Sequence, residues 1–459
     1  MLTAWPTIVD HDSFPQIYDF AEKNSALAKN LYNAALFRIR QVFCGWDKTS
    51  RTDNEKEAFE EIETVRQAYP KFNVRRVLSY TALEKIMRIT CNPDFFSGLP
   101  MQTAQAVVRK ACDDFHNWLK ASKDYKKNPS KYLGKPRMPK YCKSTRKSFE
   151  VTNQDAVLYR GSVTSSSAVI KLPSIPKKDK VMISGLPPYE DLRQVTIKPY
   201  YGKYILTFVF ENGAPPCYPD LPEMAGVDFG TGNIATLACT DGSSVVFNGG
   251  VVKSRNQLFA KKRAAAVSSI TKGTYRKHTQ SQHLDLLSRK HDCQTNDSLH
   301  KISTAIVRWC IAHRVGTLVL GVNKLWKQES DMGKRNNQTY VSIPHARLRW
   351  MINYKALTAG INVIEQEESY TSKADVTMAD PMPVYGEEKG KPVFSGKRIE
   401  RGRYKTASGL IINADCNGAA NILRKAVPDA WKNTKDFKFL AYPETYGYWN
   451  LNPKYKLTA

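Results

Sequence analysis

The sequence predicts a multidomain α+β protein, because its hydrophobic pattern changes twice along the 459 residues. Apolar residues recur every three or four positions up to about residue 122, and this period indicates helices. Short alternating segments with Gly and Pro turns follow at 150–210, which is typical of β structure. Beyond a Pro-rich connector at 212–222, short strands and longer helical segments alternate. A chain of this length accommodates about three domains at roughly 150 residues each.

The composition is globular and strongly basic. Hydrophobic residues make up 42% of the chain, and 69 Lys and Arg against 43 Asp and Glu give a formal charge of +26. Such an excess opposes compactness unless a polyanion neutralises it, so we expect a nucleic-acid partner rather than a charge that serves solubility alone. No apolar run approaches the ~18 residues of a membrane span, and the first residues do not resemble a signal peptide. The 9 cysteines contain no CxxC pair, which argues against a disulfide framework or a zinc ribbon. We therefore expect an intracellular protein.

The first two regions differ in their predicted secondary structure. In the helical region the clearest amphipathic segment is 28–42, and further helices are predicted at 54–67 and 103–121. In the β region the clearest strands are 169–172, 194–197 and 204–210. Their turn-rich spacing predicts a small β-barrel or sandwich.

A basic run connects these two regions. Between 123 and 147 lie ten basic residues, the single acid Asp124 and three tyrosines. Lys and Arg neutralise phosphates and aromatic rings stack on unpaired bases, so this mixture favours a nucleic-acid groove over a plain charged linker. The candidate binding residues are Lys126, Lys127, Lys131, Lys135, Arg137, Lys140, Arg146 and Lys147.

The C-terminal region has the element order of an RNase H-like fold. Three short hairpin-linked strands are predicted at 226–230, 234–239 and 244–247. The elements that follow are a basic helical stretch at 255–314, a strand at 317–320, a helix at about 345–359, a strand at 361–364 and a last helix after Asp415.

Two aspartates stand where this fold would hold metal ions. Asp228 closes the first strand between Gly226 and Gly230, and Asp415 lies among small residues at the start of the last helix. Phosphodiester hydrolysis with two Mg²⁺ needs several carboxylates from separate elements, because Mg²⁺ prefers oxygen ligands. Either aspartate alone is more often a turn or N-cap residue. Their joint placement favours a metal site.

Four segments resemble one known family: GVDFG at 226–230, NKLWKQ at 323–328, ESYTSK at 368–373 and NADCNGAANI at 413–422. They are similar to the RuvC-type nuclease segments of the TnpB proteins of bacterial transposons and of related compact type V CRISPR effectors. The resemblance implies an RNA-guided DNA endonuclease of the prokaryotic cytoplasm or nucleoid. It also implies a helical recognition lobe at 11–122 and a wedge-like β-barrel that binds RNA, formed by 1–10 and 123–220. A RuvC-like nuclease domain would follow at 221–459, with a basic insertion at about 373–412.

The second catalytic acid of that family is missing from its usual place. Relatives commonly carry a glutamate directly after the fourth strand, where this chain has Gly321. The fifth strand lies beside the fourth in this fold, and here it ends in acids, so a relocated glutamate would complete the site. Because Glu367 and Glu368 point to opposite faces of a strand, we take Glu368 as the third catalytic and metal-binding residue, with Glu367 in reserve. Weaker candidates in a loop are Glu329 and Asp331.

The zinc ribbon of many relatives has no counterpart in this sequence. Residues 373–413 contain no Cys or His, but they are basic and include the candidate nucleic-acid-binding residues Lys397 and Arg398. We expect a zinc-free insertion with β segments at 391–394 and 410–412. Further candidates for contact with nucleic acid are Trp326 and Lys327, although a buried Trp that fills the strand end is equally consistent with the sequence.

The function expected from these features is RNA-guided cleavage of DNA. A guide RNA and a target DNA would be the partners, and Asp228, Glu368 and Asp415 would hold two Mg²⁺. Neither a membrane nor a small-molecule cofactor is expected. Gly321 leaves open a nuclease-dead RNA-guided binder that represses or targets DNA, but a dead site has no reason to keep both aspartates. A RuvC-like transposase or junction nuclease without RNA would have little need of the basic run.

Overall fold

The computed structural model describes residues 2–162, 165–176, 181–187, 191–211, 221–273, 280–323, 343–378, 380–384 and 392–451. The chain forms two compact units, residues 1–213 and 214–459. Both helices and sheets are present, which confirms the predicted α+β class. None of the helices in the described ranges has the length and apolar character needed to cross a membrane.

The described residues of the first unit form four α-helices: α1 (Pro15–Gly45), α2 (Asp53–Ala68), α3 (Tyr80–Ile89) and α4 (Met101–Lys127). The predicted helices at 28–42, 54–67 and 103–121 lie within α1, α2 and α4. Thr52 begins α2 with a capping box, because its side chain accepts from the N–H of Glu55 and the Glu55 carboxylate accepts in return. Apolar residues on one face of each helix are buried in a common core.

Where the first unit is described, it also contains seven strands: β1 (Leu2–Val9), β2 (Phe149–Thr152), β3 (Val157–Tyr159), β4 (Ala168–Lys171), β5 (Val181–Ile183), β6 (Leu192–Tyr200) and β7 (Lys203–Glu211). They form a four-stranded sheet of order β1-β7-β6-β2 and a separate sheet of order β3-β4-β5. Tyr201 and Gly202 both have positive φ, as a two-residue hairpin between β6 and β7 requires. As far as the described residues extend, the larger sheet has β1 and β2 as its edges, so closure into a barrel stays a prediction.

The second unit is built on a six-stranded sheet. The strands of this unit are β8 (Glu223–Asp228), β9 (Asn233–Cys239), β10 (Ser244–Asn248), β11 (Val315–Val322), β12 (Asn362–Glu367), β13 (Lys397–Glu400), β14 (Arg403–Lys405), β15 (Ile411–Asn413) and β16 (Glu444–Tyr446). The large sheet has the order β12-β11-β8-β9-β10-β16. β9 is antiparallel to β8 and β10, whereas β11 runs parallel to β8 and β12. The order of strands and helices along this unit agrees with the order from which the sequence predicted an RNase H-like fold.

Helices cover both faces of this sheet: α5 (Gly250–Thr271), α6 (Gln282–Ala312), α7 (His345–Thr358) and α8 (Ala414–Ala426). Side chains alternate along each strand, so Leu318 and Leu320 join a core with α6 and α7. Val319 instead joins a core with α8. A Cβ built on Gly226 of β8 would lie 2.1 Å from the carbonyl oxygen of Ala419, so only glycine permits this approach of α8 to the sheet.

The insertion forms a three-stranded antiparallel sheet of order β13-β14-β15. The predicted segment at 410–412 coincides largely with β15. The one predicted at 391–394 is wrong over its described residues, because 392–394 form no strand and the chain pairs only from Lys397 onward. Those residues contain Pro392, which cannot donate to a strand ladder.

Candidate functional site

Asp228 ends β8, a central strand of the large sheet. β8 is paired with β9 on one side and with β11 on the other, so the position of this carboxylate is fixed from both sides. The side chain is half-buried and lies against the start of α8, where a Cβ built on Gly418 would be 2.7 Å from Asp228 Oδ2. The small residues of α8 therefore bring the helix backbone up to the carboxylate.

Asp415 reaches the same edge of the sheet from the first turn of α8. Asn413 caps this helix, because its Oδ1 accepts from the N–H groups of Asp415 and Cys416. The Nδ2 of Asn233, at the start of β9, donates to Asp415 Oδ2 at 2.7 Å. On the other carboxylate oxygen, Arg398 Nη2 lies 3.7 Å from Asp415 Oδ1. Asn233 was missed by the sequence reasoning, since a lone Asn before a strand carries no signal of this contact.

Glu368 follows the end of β12 and lies beside Gly321 of the neighbouring strand. A Cβ built on Gly321 would be 2.8 Å from Glu368 Oε2. Glu367 points elsewhere: its Oε2 accepts from Lys425 Nζ at 2.6 Å and its Oε1 accepts from the N–H of Ser369 at 2.6 Å. The two neighbouring glutamates thus have different surroundings, and only Glu368 is near the aspartates.

The pKa values also distinguish Glu368 from Glu367. Burial, together with the charges of Glu368 and Asp415, raises the pKa of Asp228 to about 8, with a smaller opposing effect of Arg398. Burial also raises the pKa of Glu368 to about 7, opposed by Arg349. Although burial acts to raise the pKa of Glu367, the Lys425 and Ser369 hydrogen bonds lower it below its usual value. Arg398 and Arg349 thus offset the raised pKa values of Asp228 and Glu368 only in part. Glu367, in contrast, forms an ion pair with Lys425.

This donor set is chemically suited to Mg²⁺, a hard cation that prefers carboxylate oxygens. The raised pKa values of Asp228 and Glu368 indicate charges that a divalent cation would neutralise. No three Asp, Glu, His or Cys side chains in the described part of the chain already surround one point as metal ligands. Asp415 is instead held by Asn233 and Arg398, so the three carboxylates would have to close around a cation.

Two arginines accompany the acids, and only one of them was predicted. Arg398, at the edge of the insertion, is the cation beside Asp415. Arg349 of α7 donates to the carbonyl oxygen of Gly321 at 3.4 Å and is the charge that opposes the raised pKa of Glu368. Its place on a helix far from Glu368 in sequence gave no sign of this proximity.

The basic run lies in the first unit and is largely exposed. Some of its cations have intramolecular partners: Lys131 Nζ lies 2.7 Å from Asp124, Arg146 pairs with Glu22, and Lys147 Nζ lies 3.7 Å from the centre of the Tyr32 ring. The remaining five candidate binding residues have exposed side chains: Lys126, Lys127, Lys135, Arg137 and Lys140. Four residues singled out from the sequence lie outside the described ranges: Trp326, Lys327, Glu329 and Asp331.

Two protein-family models match the chain, and both lie mainly in the second unit. Residues 208–327 match OrfB_IS605, described as a probable transposase. Residues 345–422 match the TNB domain of Cas12f1-like proteins. The second match spans α7, Glu368, the insertion and the start of α8, so it contains two of the three acids. No curated protein matches the sequence significantly.

Solved structures with detectable likeness include two Cas12f complexes. A Cas12f1–sgRNA–target DNA complex is 14% identical over 90% of this chain and 84% of that chain, with a TM-score of 0.49. A CRISPR-Cas12f ternary complex is 13% identical over 88% of this chain and 82% of that chain, with a TM-score of 0.33. The two family-model matches confirm the resemblance found in the motifs: the chain is similar to TnpB-like compact type V effectors.

Proposed function

We propose that this protein is an RNA-guided DNA endonuclease whose phosphodiester hydrolysis takes place at Asp228, Glu368 and Asp415. The observation that carries the proposal is the electrostatic contrast at the edge of the sheet. The pKa values of Asp228 and Glu368 are raised because these half-buried groups lose part of their hydration and lie near other acids. The adjacent Glu367 is instead neutralised by Lys425. A group of acids whose charge is only partly offset, in a chain of +26 charge, is the pattern expected of a cation site.

Each of the three acids comes from a different element, so the fold itself sets their positions. Two Mg²⁺ held by these carboxylates would supply activation of the attacking water and stabilisation of the leaving oxygen. Arg398 and Arg349, next to Asp415 and Glu368, would attract the phosphate backbone to the acids. The relocated Glu368 would thereby replace the acid that position 321 lacks.

The proposed partners are a guide RNA and a target DNA. The resemblance to TnpB-like effectors supports them, and so do the exposed basic side chains of the first unit. Base pairing by the RNA would read the DNA sequence, and the protein would recognise duplex geometry and a short flanking motif. The insertion, with Lys397 and Arg398 exposed on β13, would contact nucleic acid near the site.

The deciding experiment is to purify the full-length chain, sequence the RNA that accompanies it, and supply DNA matching that RNA. We expect Mg²⁺-dependent cleavage of the matched DNA and none of a scrambled one. An RNA complex that binds the matched DNA but does not cut it in Mg²⁺ would establish the nuclease-dead alternative. Cleavage that does not depend on any RNA would instead favour the transposase or junction nuclease.

A further inference from the structure

Two glycines border the carboxylates, and each lies where a side chain would collide with one of them. Gly321 is in β11 and Gly418 is in the second turn of α8. Neither has positive φ, so no left-handed backbone conformation explains the glycine. What these glycines provide is instead the space that a Cβ would otherwise fill.

At Gly321 the space is taken by two side-chain ends. A built Cβ would lie 2.8 Å from Glu368 Oε2 and 2.7 Å from Ile422 Cδ1, both well inside van der Waals contact. The nearest backbone atom, the carbonyl oxygen of Val227, is at 3.1 Å, which is tight but tolerable. Because Glu368 Oε2 is the end of a side chain, a methyl group at 321 would push this carboxylate aside, and it would also press on the fully buried Ile422.

The space at Gly418 is taken by Asp228. A built Cβ would lie 2.7 Å from Asp228 Oδ2 and 3.4 Å from its Cγ, and the next neighbour is Ser372 Oγ at 3.8 Å. All of these are side-chain atoms. Gly226 is the contrasting case, since a Cβ there would collide at 2.1 Å with the backbone of Ala419 in α8. Gly226 thus serves packing, whereas Gly321 and Gly418 border carboxylates.

We infer that Gly321 and Gly418 are positioning residues that hold Glu368 and Asp228 at the metal site by leaving the volume that the carboxylates occupy. The lack of an acid at 321 is then a requirement of the relocated glutamate, because the two positions compete for one space. This inference rests on the proposed function, since it concerns the same cation site.

The test measures Mn²⁺ binding to the purified full-length chain by calorimetry, without any cleavage assay. Gly321→Ala and Gly418→Ala should each weaken Mn²⁺ binding by roughly 10–100-fold, as lost ligand orientation does in other metal sites. Without metal, Gly418→Ala should keep its melting temperature within about 2 °C of the wild type, because only side-chain ends have to move. Gly321→Ala should lower it further, because its methyl group also meets the buried Ile422, so the double-mutant cycle described next decides its role. Gly447→Ala, whose nearest neighbour is 3.9 Å from a built Cβ, is the neutral control.

A double-mutant cycle separates positioning from a general structural role. If Gly321 acts through Glu368, then Gly321→Ala should cost no further Mn²⁺ affinity once Glu368 is already Gln. The mismatched pair, Gly321→Ala with Asp228→Asn, should still show a loss from each change. Gly226→Ala should lower the melting temperature, because its methyl group would collide with the backbone of Ala419 in α8.

Three results would contradict the positioning role, and one of them would also contradict the proposed site. If the wild type binds Mn²⁺ and Gly321→Ala binds it equally well, the positioning role is wrong while the proposed site survives. The positioning role is also wrong if Gly321→Ala lowers Mn²⁺ affinity equally in the wild type and in the Glu368→Gln variant. If the wild type binds no Mn²⁺ at all, both this inference and the proposed two-metal site fail.

Discussion

Two groups of acids in the second unit have opposite surroundings. At the candidate site, Asp228 and Glu368 lie near other carboxylates, and their pKa values are raised. In the insertion, Asp380 Oδ2 accepts from the N–H groups of Asp375 and Ser395, both at 2.9 Å, and Oδ1 accepts from Ser395 Oγ at 2.6 Å. Although burial acts to raise it, these hydrogen bonds lower the pKa of Asp380.

Asp375, the second acid of the insertion, also has hydrogen-bond donors for both of its carboxylate oxygens. Asp375 is fully buried, and its two oxygens accept from the N–H and hydroxyl groups of Thr377 and from the N–H of Ala407. Arg424 of α8 also donates to the carbonyl oxygen of Asp380. Acids surrounded by the donors of their own chain stabilise a loop, whereas acids surrounded by other acids need an external cation. The comparison shows that residue type alone does not distinguish these roles.

Hydrogen bonds of two asparagines of α8 and of the acids Asp375 and Asp380 hold the insertion in place. Asn417 of α8 accepts from the N–H of Val376 and donates to the carbonyl oxygen of Ala374, and Asn421 donates to that same oxygen. Asp375 and Asp380 then tie 375–380 to 395 and 407, residues distant in sequence. Carboxylates and amides thereby hold the insertion to α8, next to the candidate site.

The largest expected effect is at Asp228. Asp228→Asn should lower cleavage by more than about 100-fold, because it removes a proposed metal ligand and not merely an outer partner. Binding of RNA and matched DNA should change little, since no phosphate contact is lost. In metal-free protein the melting temperature should rise, because a carboxylate near two others is removed. A fall in melting temperature would place Asp228 with the structural acids instead.

The two adjacent glutamates sharpen the comparison. Glu368→Gln should reduce cleavage about as strongly as Asp228→Asn, whereas Glu367→Gln should retain most of it. Glu367→Gln should instead lower stability by about 1 kcal/mol, because Lys425 is nearly buried and loses its charged partner. Cleavage rates and urea denaturation of both variants provide the check. Full cleavage by Glu368→Gln would reject our assignment of the third acid.

Asp380 tests the structural side of the comparison. Asp380→Asn should destabilise the insertion by about 1–2 kcal/mol at pH 7, since an amide cannot accept all three hydrogen bonds. Hydrogen exchange over 392–413 would measure this loss.

The pH dependence of this effect has a defined sign. Because the folded pKa of Asp380 is lowered, its stabilisation is present above the unfolded value of about 3.9 and is lost as the pH falls through the folded value. The difference between wild type and Asp380→Asn should therefore disappear in acid. A difference that persists there would mean that the carboxylate charge is not responsible.

The smallest effect is expected at Arg398, which is exposed and 3.7 Å from Asp415. Arg398→Gln should weaken DNA binding similarly for all sequences and reduce the slope of log affinity against log salt by about 1. Glu400→Gln on the same strand is the matched control, because it removes an exposed charge of the opposite sign. An unchanged salt slope for Arg398→Gln would exclude a phosphate contact.

Much of the architecture was predictable from local patterns. The strand at 317–320 and the last helix are read directly from an apolar run and from the small residues around Asp415. The strand predicted at 226–230 is also present, but it spans 223–228 and ends at Asp228. Alternation along a strand predicted that Glu367 and Glu368 would have different surroundings, and their partners do differ. The choice of Glu368 as the third acid stays a prediction. The wrong strand at 391–394 was inferred from apolar residues alone, and local composition did not reveal that pairing begins only at Lys397.

The sequence by itself determined the α+β class, the basic charge and the aspartates at the two key element ends, because periodicity and composition are local properties. Only the tertiary structure decided which acids oppose one another and which find donors. Arg349, Asn233 and Gly418 come to the carboxylates from α7, β9 and α8, and the donors of Asp380 come from both ends of the insertion. The charge state of a carboxyl group depends on these through-space neighbours and on burial, so it follows from packing.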